Sequence, residues 1–256
     1  MKKIFFINSP LEQFEVVSLI GINFPIFGYI HFSLTNIGLY TIITIFLVIA
    51  IHFISNNNRN ILPSRWGIFI QSCFQSIHNL VKAQIGQKNE IYFPIIYSVF
   101  FFLLFANLNG NIPYGFTITT SIVISIGLSV CIFLGVTILG LLQHKIHFFS
   151  FFVPSGTPLI LVPLLVPIEL ISYISRAFSL GIRLFANIVS GHTLLKILSG
   201  FLYKIFTGGI IISIFTLIPF TIFVSLIGLE IAVSFIQAYV FTILTCSYLK
   251  DAIDLH

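Results

Sequence analysis

Hydrophobic positions in this chain come in long uncharged runs separated by short polar breaks, and run length predicts what each forms. Leu34 to Ile54 carries no charge over about 21 residues, close to the ~20 a helix needs to cross bilayer hydrocarbon, and ends in the polar SNNNRN loop. Ile91 to Leu108 is a second uncharged run, rich in phenylalanine and closed by NGNIP, whose Asn, Gly and Pro favour a tight turn. Phe116 to Leu142 is long enough to span at a tilt. After the loop QHKIHFFSFFVPSGTP, Thr157 and Pro158 read as an N-cap and first helical residue. Pro163 and Pro167 are expected to bend or delay that helix, which runs to about Leu198. The last helix is expected from near Gly209, bent at Pro219, to about Leu249. Both exceed a simple crossing, which predicts strong tilt.

From Ser64 to Ile85 the pattern changes. Trp66, Phe69, Ile70, Cys73, Phe74, Ile77, Leu80, Val81 and Ile85 recur at helical spacing, opposite Gln71, Ser72, Gln75, His78, Asn79 and Lys82. This predicts an amphipathic helix lying in the membrane interface; a polar-faced span inside a bundle is the other reading. Residues 1–33 read as an amino-terminal interfacial segment, with SPLEQFE placing Glu12 and Glu15 at the membrane edge. Met1 to Ile7 is too short for a secretory signal. The fold class expected is an all-α integral membrane protein with about five spans and one interfacial amphipathic helix. Its segments are 34–54, 64–85, two spans in 91–142, and two long, tilted, antiparallel helices in 158–249, all in one membrane domain over 1–256.

Composition strengthens that reading. Of 256 residues, 57% are hydrophobic and 7% charged, against about 25% charged in soluble domains. A mean hydropathy of +1.09 exceeds what a soluble core could bury. The net charge of +5 comes from 12 basic and 7 acidic residues, too dispersed for a nucleic-acid surface. Cys73, Cys131 and Cys246 stand singly, so neither a metal site nor a disulfide framework is expected. The motifs of phosphate loops, G-x-S-x-G hydrolases and H-E-x-x-H metalloproteases do not occur, so no catalytic site, cofactor or metal is expected. Arg59, Arg65, Lys82 and Lys88 follow the first span and Lys145 follows the Phe116–Leu142 run, while the turn at Asn109–Tyr114 is uncharged. The positive-inside rule then puts the amino terminus outside and the carboxyl terminus inside, with Lys196 and Lys204 counting against it.

Charges inside the runs carry the functional signal. Arg176 and Arg183 lie within a long apolar segment, where an arginine costs roughly 2.5–3.5 kcal/mol even on a lenient insertion scale. Its guanidinium, with a pKa above about 12, stays charged. Glu169, Arg176 and Arg183 are spaced seven and seven, which keeps them on one helical stripe that drifts only ~20° per step. Asn187 lies four residues past Arg183 on nearly the same face, and His192 falls about half a turn round. On the last helix Glu230 and Gln237 repeat the seven spacing, and Asp251 continues it. Structural ion pairs holding two helices are one reading of this set; a path for ions through the membrane is the other. Asn187 and Gln237 also suit interhelical hydrogen bonding. His31, His52, His78, His144 and His147 flank the spans and read as interfacial, and no pair of histidines stands at haem-ligand spacing.

Three stretches carry a resemblance: SPLEQFE, ELISYISRAFSLGIRLFANIVSGH and GLEIAVSFIQAYVFTILTCSYLKDAIDLH. Together they make nearly the whole chain similar to subunit a of the F-type ATP synthase, in its mitochondrial form, and SLGIRLFAN is the most specific part. The resemblance implies a stator bordering a ring of c subunits, with peripheral-stalk and other membrane-sector subunits and the lipid bilayer as further partners. It implies that Arg183 faces the ring carboxylates, with Arg176 a second arginine of the mitochondrial pattern. Glu169 and Asp251 then belong to a half-channel open to the matrix. His192 and Glu230 belong to one open to the intermembrane space, with Asn187 and Gln237 as polar neighbours. Two other readings fit the residues alone: an autonomous proton-coupled transporter, which predicts inverted repeats that the sequence does not display, and a bracing subunit of a redox complex.

Overall fold

The structure is a computed structural model that describes residues 9–24, 30–55, 64–112, 115–153, 161–207 and 216–253. Six α-helices dominate it: α1 (Asn36–Ser55), α2 (Arg65–Ile85), α3 (Phe93–Gly110), α4 (Ile122–His144), α5 (Val162–Phe206) and α6 (Leu217–Ile253). All but α2 are long and apolar enough to cross a membrane. The chain is an all-α membrane protein, as its hydrophobic pattern predicts.

The helix ends differ from expectation in ways that have physical causes. The α5 helix continues past Leu198 to Phe206, because Ser199 and Gly200 weaken a helix without ending it. Pro163 lies in its first turn, where the missing N–H costs nothing, and Pro167 lies inside the helix. The α6 helix starts at Leu217, so Pro219 falls in a first turn rather than at a mid-helix bend. The expected start near Gly209, and the proposed cap at Thr157 and Pro158, lie outside the described residues. At about 1.5 Å per residue, the 45 residues of α5 and the 37 of α6 reach about 68 and 56 Å. Both far exceed a ~30 Å hydrocarbon core.

The amino-terminal segment contains a feature the apolar pattern did not reveal. After a 3-10 turn at Pro10–Phe14, strands β1 (Ser18–Phe24) and β2 (Ile30–Thr35) pair antiparallel, from Ser18 opposite Thr35 to Phe24 opposite Ile30, with an irregularity between Ser18 and Ile20. A two-stranded sheet alone is marginal in water. Here Asn36 anchors it to the start of α1: its backbone N–H donates to Val17 O at 3.0 Å and its side-chain amide to Glu15 O at 3.0 Å.

The amphipathic helix α2 begins where Ser64 accepts a hydrogen bond from the Gly67 N–H, and ends at Gly86, whose φ of +88° suits glycine. Its buried residues Ile70, Ile77, Val81 and Ile85 form one core with Phe93, Ile96 and Phe101 of α3 and with Cys246, Leu249, Ala252 and Ile253 of α6. Two of the span-flanking histidines tie helices together. His52 of α1 bonds Tyr97 Oη of α3 at 2.9 Å, and His144 Nε2 donates to Ile253 O at 2.8 Å, joining the ends of α4 and α6.

The packing of α5 decides where its charges point. Ala177, Leu180, Gly181, Leu184 and Ile188 form its buried stripe. At Gly181 the helix presses on α4: an added Cβ would come within 2.5 Å of Ser129 Oγ and 2.8 Å of Ile126 Cα. Small residues at such a crossing let two membrane helices approach closely. With that stripe turned toward α4, Arg183 is left on an exposed face.

Candidate functional site

Three side-chain contacts join α5 to α6 like rungs. Arg176 Nη1 donates to Asp251 Oδ2 at 3.1 Å, Asn187 Nδ2 donates to Gln237 Oε1 at 2.9 Å, and His192 Nδ1 lies 2.9 Å from Glu230 Oε1. As positions rise along α5 they fall along α6, so the two helices run antiparallel. On α6 the seven-spaced positions Glu230, Gln237 and Asp251 all face the seam, whereas on α5 Arg176 faces it and Arg183 does not.

The first rung pairs a guanidinium with a carboxylate. The Arg176 and Asp251 side chains are 34% and 40% exposed, so it stands at an open end of the seam. Asp251 is thus held by Arg176. Glu169, one stripe position earlier, is half-buried and forms no ion pair among the described residues.

The third rung is enclosed. Glu230 is only 7% exposed. His192 Nε2 lies 3.0 Å from Thr117 Oγ1, in the segment between α3 and α4. Ser234 donates to the Glu230 backbone carbonyl at 3.0 Å and in turn accepts from Asn111 Nδ2 at 3.0 Å. Gly191 clears space for the acid: a Cβ there would stand 3.2 Å from Glu230 Oε1. The ring and carboxylate are close but not aligned as a hydrogen bond, leaving Glu230 Oε1 buried without a donor. A cavity of about 680 Å³ opens onto this pair, lined also by Gln13, Asn111, Lys196 and Ser199. Nearby, the Phe14 ring lies 6.3 Å from the His192 ring.

Arg183 stands between the first and second rungs and has no ion-pair partner among the described residues. The facing stretch of α6, AYVFTILTCSYLK from Ala238 to Lys250, contains no acid. Leu180 and Leu184 pack instead against Ala238, Phe241 and Leu244. Arg183 borders an open groove of about 660 Å³ lined by Ile171, Ile174, Ser175, Phe178, Ser179 and Ile182. A charge that cannot be lost thus sits on an apolar surface.

Of the eight polar positions singled out by sequence, the structure joins six in the three rungs and leaves Glu169 and Arg183 outside them, and spacing did not point to the residues around them. Thr117, Asn111, Ser234 and Gly191 belong to the site through contacts made across the fold. The run of hydroxyls in FTITT, next to the NGNIP turn, was the available signal for Thr117.

Such an arrangement defines a class: a polytopic membrane subunit that carries ionisable groups through hydrocarbon, with the membrane-embedded Arg183 lacking an ion-pair partner among the described residues. The family described as "ATP synthase A chain" matches residues 38–250, and the chain belongs to it. It is 69% identical over 252 residues to ATP synthase subunit a of Mycosarcoma maydis, covering 98% of this chain and 99% of that one. The corresponding proteins of Emericella nidulans and Marchantia polymorpha are 50% and 49% identical over 252 residues, covering 98% and 97% of this chain and 98% and 99% of theirs. It is therefore a stator subunit of the membrane sector of an F-type ATP synthase and serves proton translocation. That assignment does not favour the autonomous transporter.

Proposed function

We propose that Arg183 faces the carboxylates of a rotating c-ring, and that two aqueous half-channels reach the ring on either side of it. The observation that carries this reading is the exposed Arg183 with no acid opposite it on α6. A cation at membrane depth needs an anion, and this chain spends its facing acid, Asp251, on Arg176. The counter-charge therefore comes from another chain, and the groove beside Arg183 offers an apolar surface for it to lie against.

The physics follows from the two environments of a ring carboxyl. In lipid it must be protonated, because burying the anion costs several kcal/mol. Against a fixed guanidinium the carboxylate is favoured, so the proton leaves. One path is built from His192 and Glu230, with Asn187 and Gln237 beside them, and opens to the intermembrane space. The other passes Glu169 and Asp251 and opens to the matrix. Protons cross only if the ring turns, and Arg183 blocks a direct leak between the paths. The membrane potential biases rotation by about 2.3 kcal/mol per charge per 100 mV.

In this reading the chain lies in the mitochondrial inner membrane, with its amino terminus toward the intermembrane space and its carboxyl terminus toward the matrix. It has no catalytic site of its own and is held against the ring by the peripheral stalk and other membrane-sector subunits. Ile182→Cys in the groove tests the proposal. Oxidation of the whole complex is expected to cross-link it to a cysteine placed beside the ring carboxylate of a c subunit. Cross-links to other stator subunits alone would overturn it.

A further inference from the structure

We infer that Thr117 is a positioning residue for the His192–Glu230 pair: its hydroxyl holds the imidazole so that Nδ1 stays turned to the carboxyl through both protonation states. The inference rests on the proposed role of that pair in proton passage.

The site around Thr117 is built for this contact. Thr117 is 4% exposed, and its Oγ1 lies 3.0 Å from His192 Nε2. Its backbone is pinned by Thr120, whose N–H and hydroxyl both donate to the Thr117 carbonyl, at 3.3 and 2.6 Å. Thr119 donates to Asn107 Oδ1 of α3 at 2.9 Å, fixing the same short segment from the other side. On α3, Gly110 faces Thr117 so closely that any Cβ there would overlap the threonine side chain. Non-helical backbone at membrane depth is tolerated where it is buried in protein or lines a water-filled cavity. This segment is buried beside the cavity that reaches His192 and Glu230.

The chemistry calls for a hydroxyl. With a neutral ring whose Nδ1–H is turned to Glu230, Nε2 is an acceptor and the Thr117 O–H donates to it. With a protonated ring, Nε2–H donates and the Thr117 oxygen accepts. A hydroxyl is donor and acceptor at once and serves both states after a rotation of its hydrogen. Any other single-function group would favour one state and hinder the cycle. The charged groups around the ring are Glu230 on α6, Lys196 one turn on along α5, and Glu12 and Glu15 in the amino-terminal segment against α5. None of them faces Nε2 at hydrogen-bonding distance among the described residues, so Thr117 alone fills that position.

The test uses the whole ATP synthase in vesicles, with ATP-driven proton pumping as readout. Thr117→Val keeps the shape and removes the hydroxyl; Thr117→Ser keeps the hydroxyl and removes the methyl. We expect Thr117→Val to slow pumping about fivefold, the scale of one neutral hydrogen bond, and to raise the solvent deuterium isotope effect. Thr117→Ser is expected to stay near the unmodified rate. Equal loss in both variants assigns the residue a packing role and overturns the inference, as does a normal rate and isotope effect in Thr117→Val. Glu230→Gln run alongside separates the two levels: if it too pumps normally, the proposed role of the pair fails. If it alone is impaired, only the inference about Thr117 fails.

Discussion

The seam between α5 and α6 is built differently at its two ends. At one end a guanidinium and a carboxylate, Arg176 and Asp251, both more than a third exposed, join at 3.1 Å. At the other, an imidazole and a carboxylate, His192 and Glu230, are largely enclosed and meet at 2.9 Å without being locked by an aligned hydrogen bond. The first end braces the two helices through a charge-assisted hydrogen bond that stands open at the end of the seam. The second suits exchange, since a close, loosely aligned acid and imidazole can pass a proton. Arg183, between them, belongs to neither. Of two arginines seven positions apart, one is paired and the other has no ion-pair partner among the described residues, and the difference lies in the face of α5 that each occupies and in what α6 presents.

The largest effect should come from removing the free cation. Arg183→Ala is expected to abolish ATP-driven proton pumping in complexes that still assemble, while passive proton leak rises; vesicle pumping measures both. Arg183→Lys should recover little, because a lysine in an apolar groove sheds its charge far more readily. Near-normal coupled pumping in either assembled variant would refute a role for a permanent charge here.

Next in size is the enclosed end. Glu230→Gln should slow both synthesis and pumping by more than about tenfold, on the scale of a lost general acid–base group, without loss of the folded subunit. Exchanging the pair, His192→Glu with Glu230→His, should restore more activity than either single change permits. Strictly additive losses in that cycle would show that the two do not act together.

A smaller effect is expected at the brace. Asp251→Asn frees Arg176 as a second uncompensated cation. The double change Arg176→Gln with Asp251→Asn should therefore pump better than Asp251→Asn alone. If the double variant is the worse of the two, Asp251 acts as an exchanging acid rather than as a partner to Arg176. Smallest of all, Glu169→Gln alone should reduce pumping only a few-fold, because Glu169 forms no ion pair among the described residues and one lost contact is worth about 1 kcal/mol. Cysteines at 169 and 251 should both react with an impermeant thiol reagent from the matrix side, and labelling from opposite sides would remove the shared matrix path.

How much of this was legible in the sequence follows from the range of each signal. Long uncharged runs report α1, α3 and α4 because length and apolarity suffice to make a span. The β1–β2 hairpin stayed hidden because Leu19, Ile20, Ile22 and Phe24 are as apolar as the helices around them, so period alone did not separate strand from helix. The stripe at 169, 176 and 183 was readable because spacing within one helix is fixed by its pitch. Which arginine would meet Asp251 was not, because that depends on how far α6 slides along α5. Thr117 lay beyond reach for a related reason, since its partner His192 comes 75 positions later and only the packing of α5 brings the two together.

The buried face of α2 has a consequence for how the chain is made. Ile70, Ile77, Val81 and Ile85 close on Cys246, Leu249, Ala252 and Ile253, which leave the ribosome after every other helix described here. Until they arrive, that stripe lacks its final cover, and an amphipathic helix in this condition rests on the membrane surface with its apolar side down. The last-made turn of α6 therefore works as a latch. It completes the cover of α2 and joins residues more than 160 positions apart in one late, long-range step of the kind that slows folding. Chains that stop short of Cys246 would keep every span but Leu217–Ile253 intact, yet leave α2 with only the α1 and α3 part of its cover.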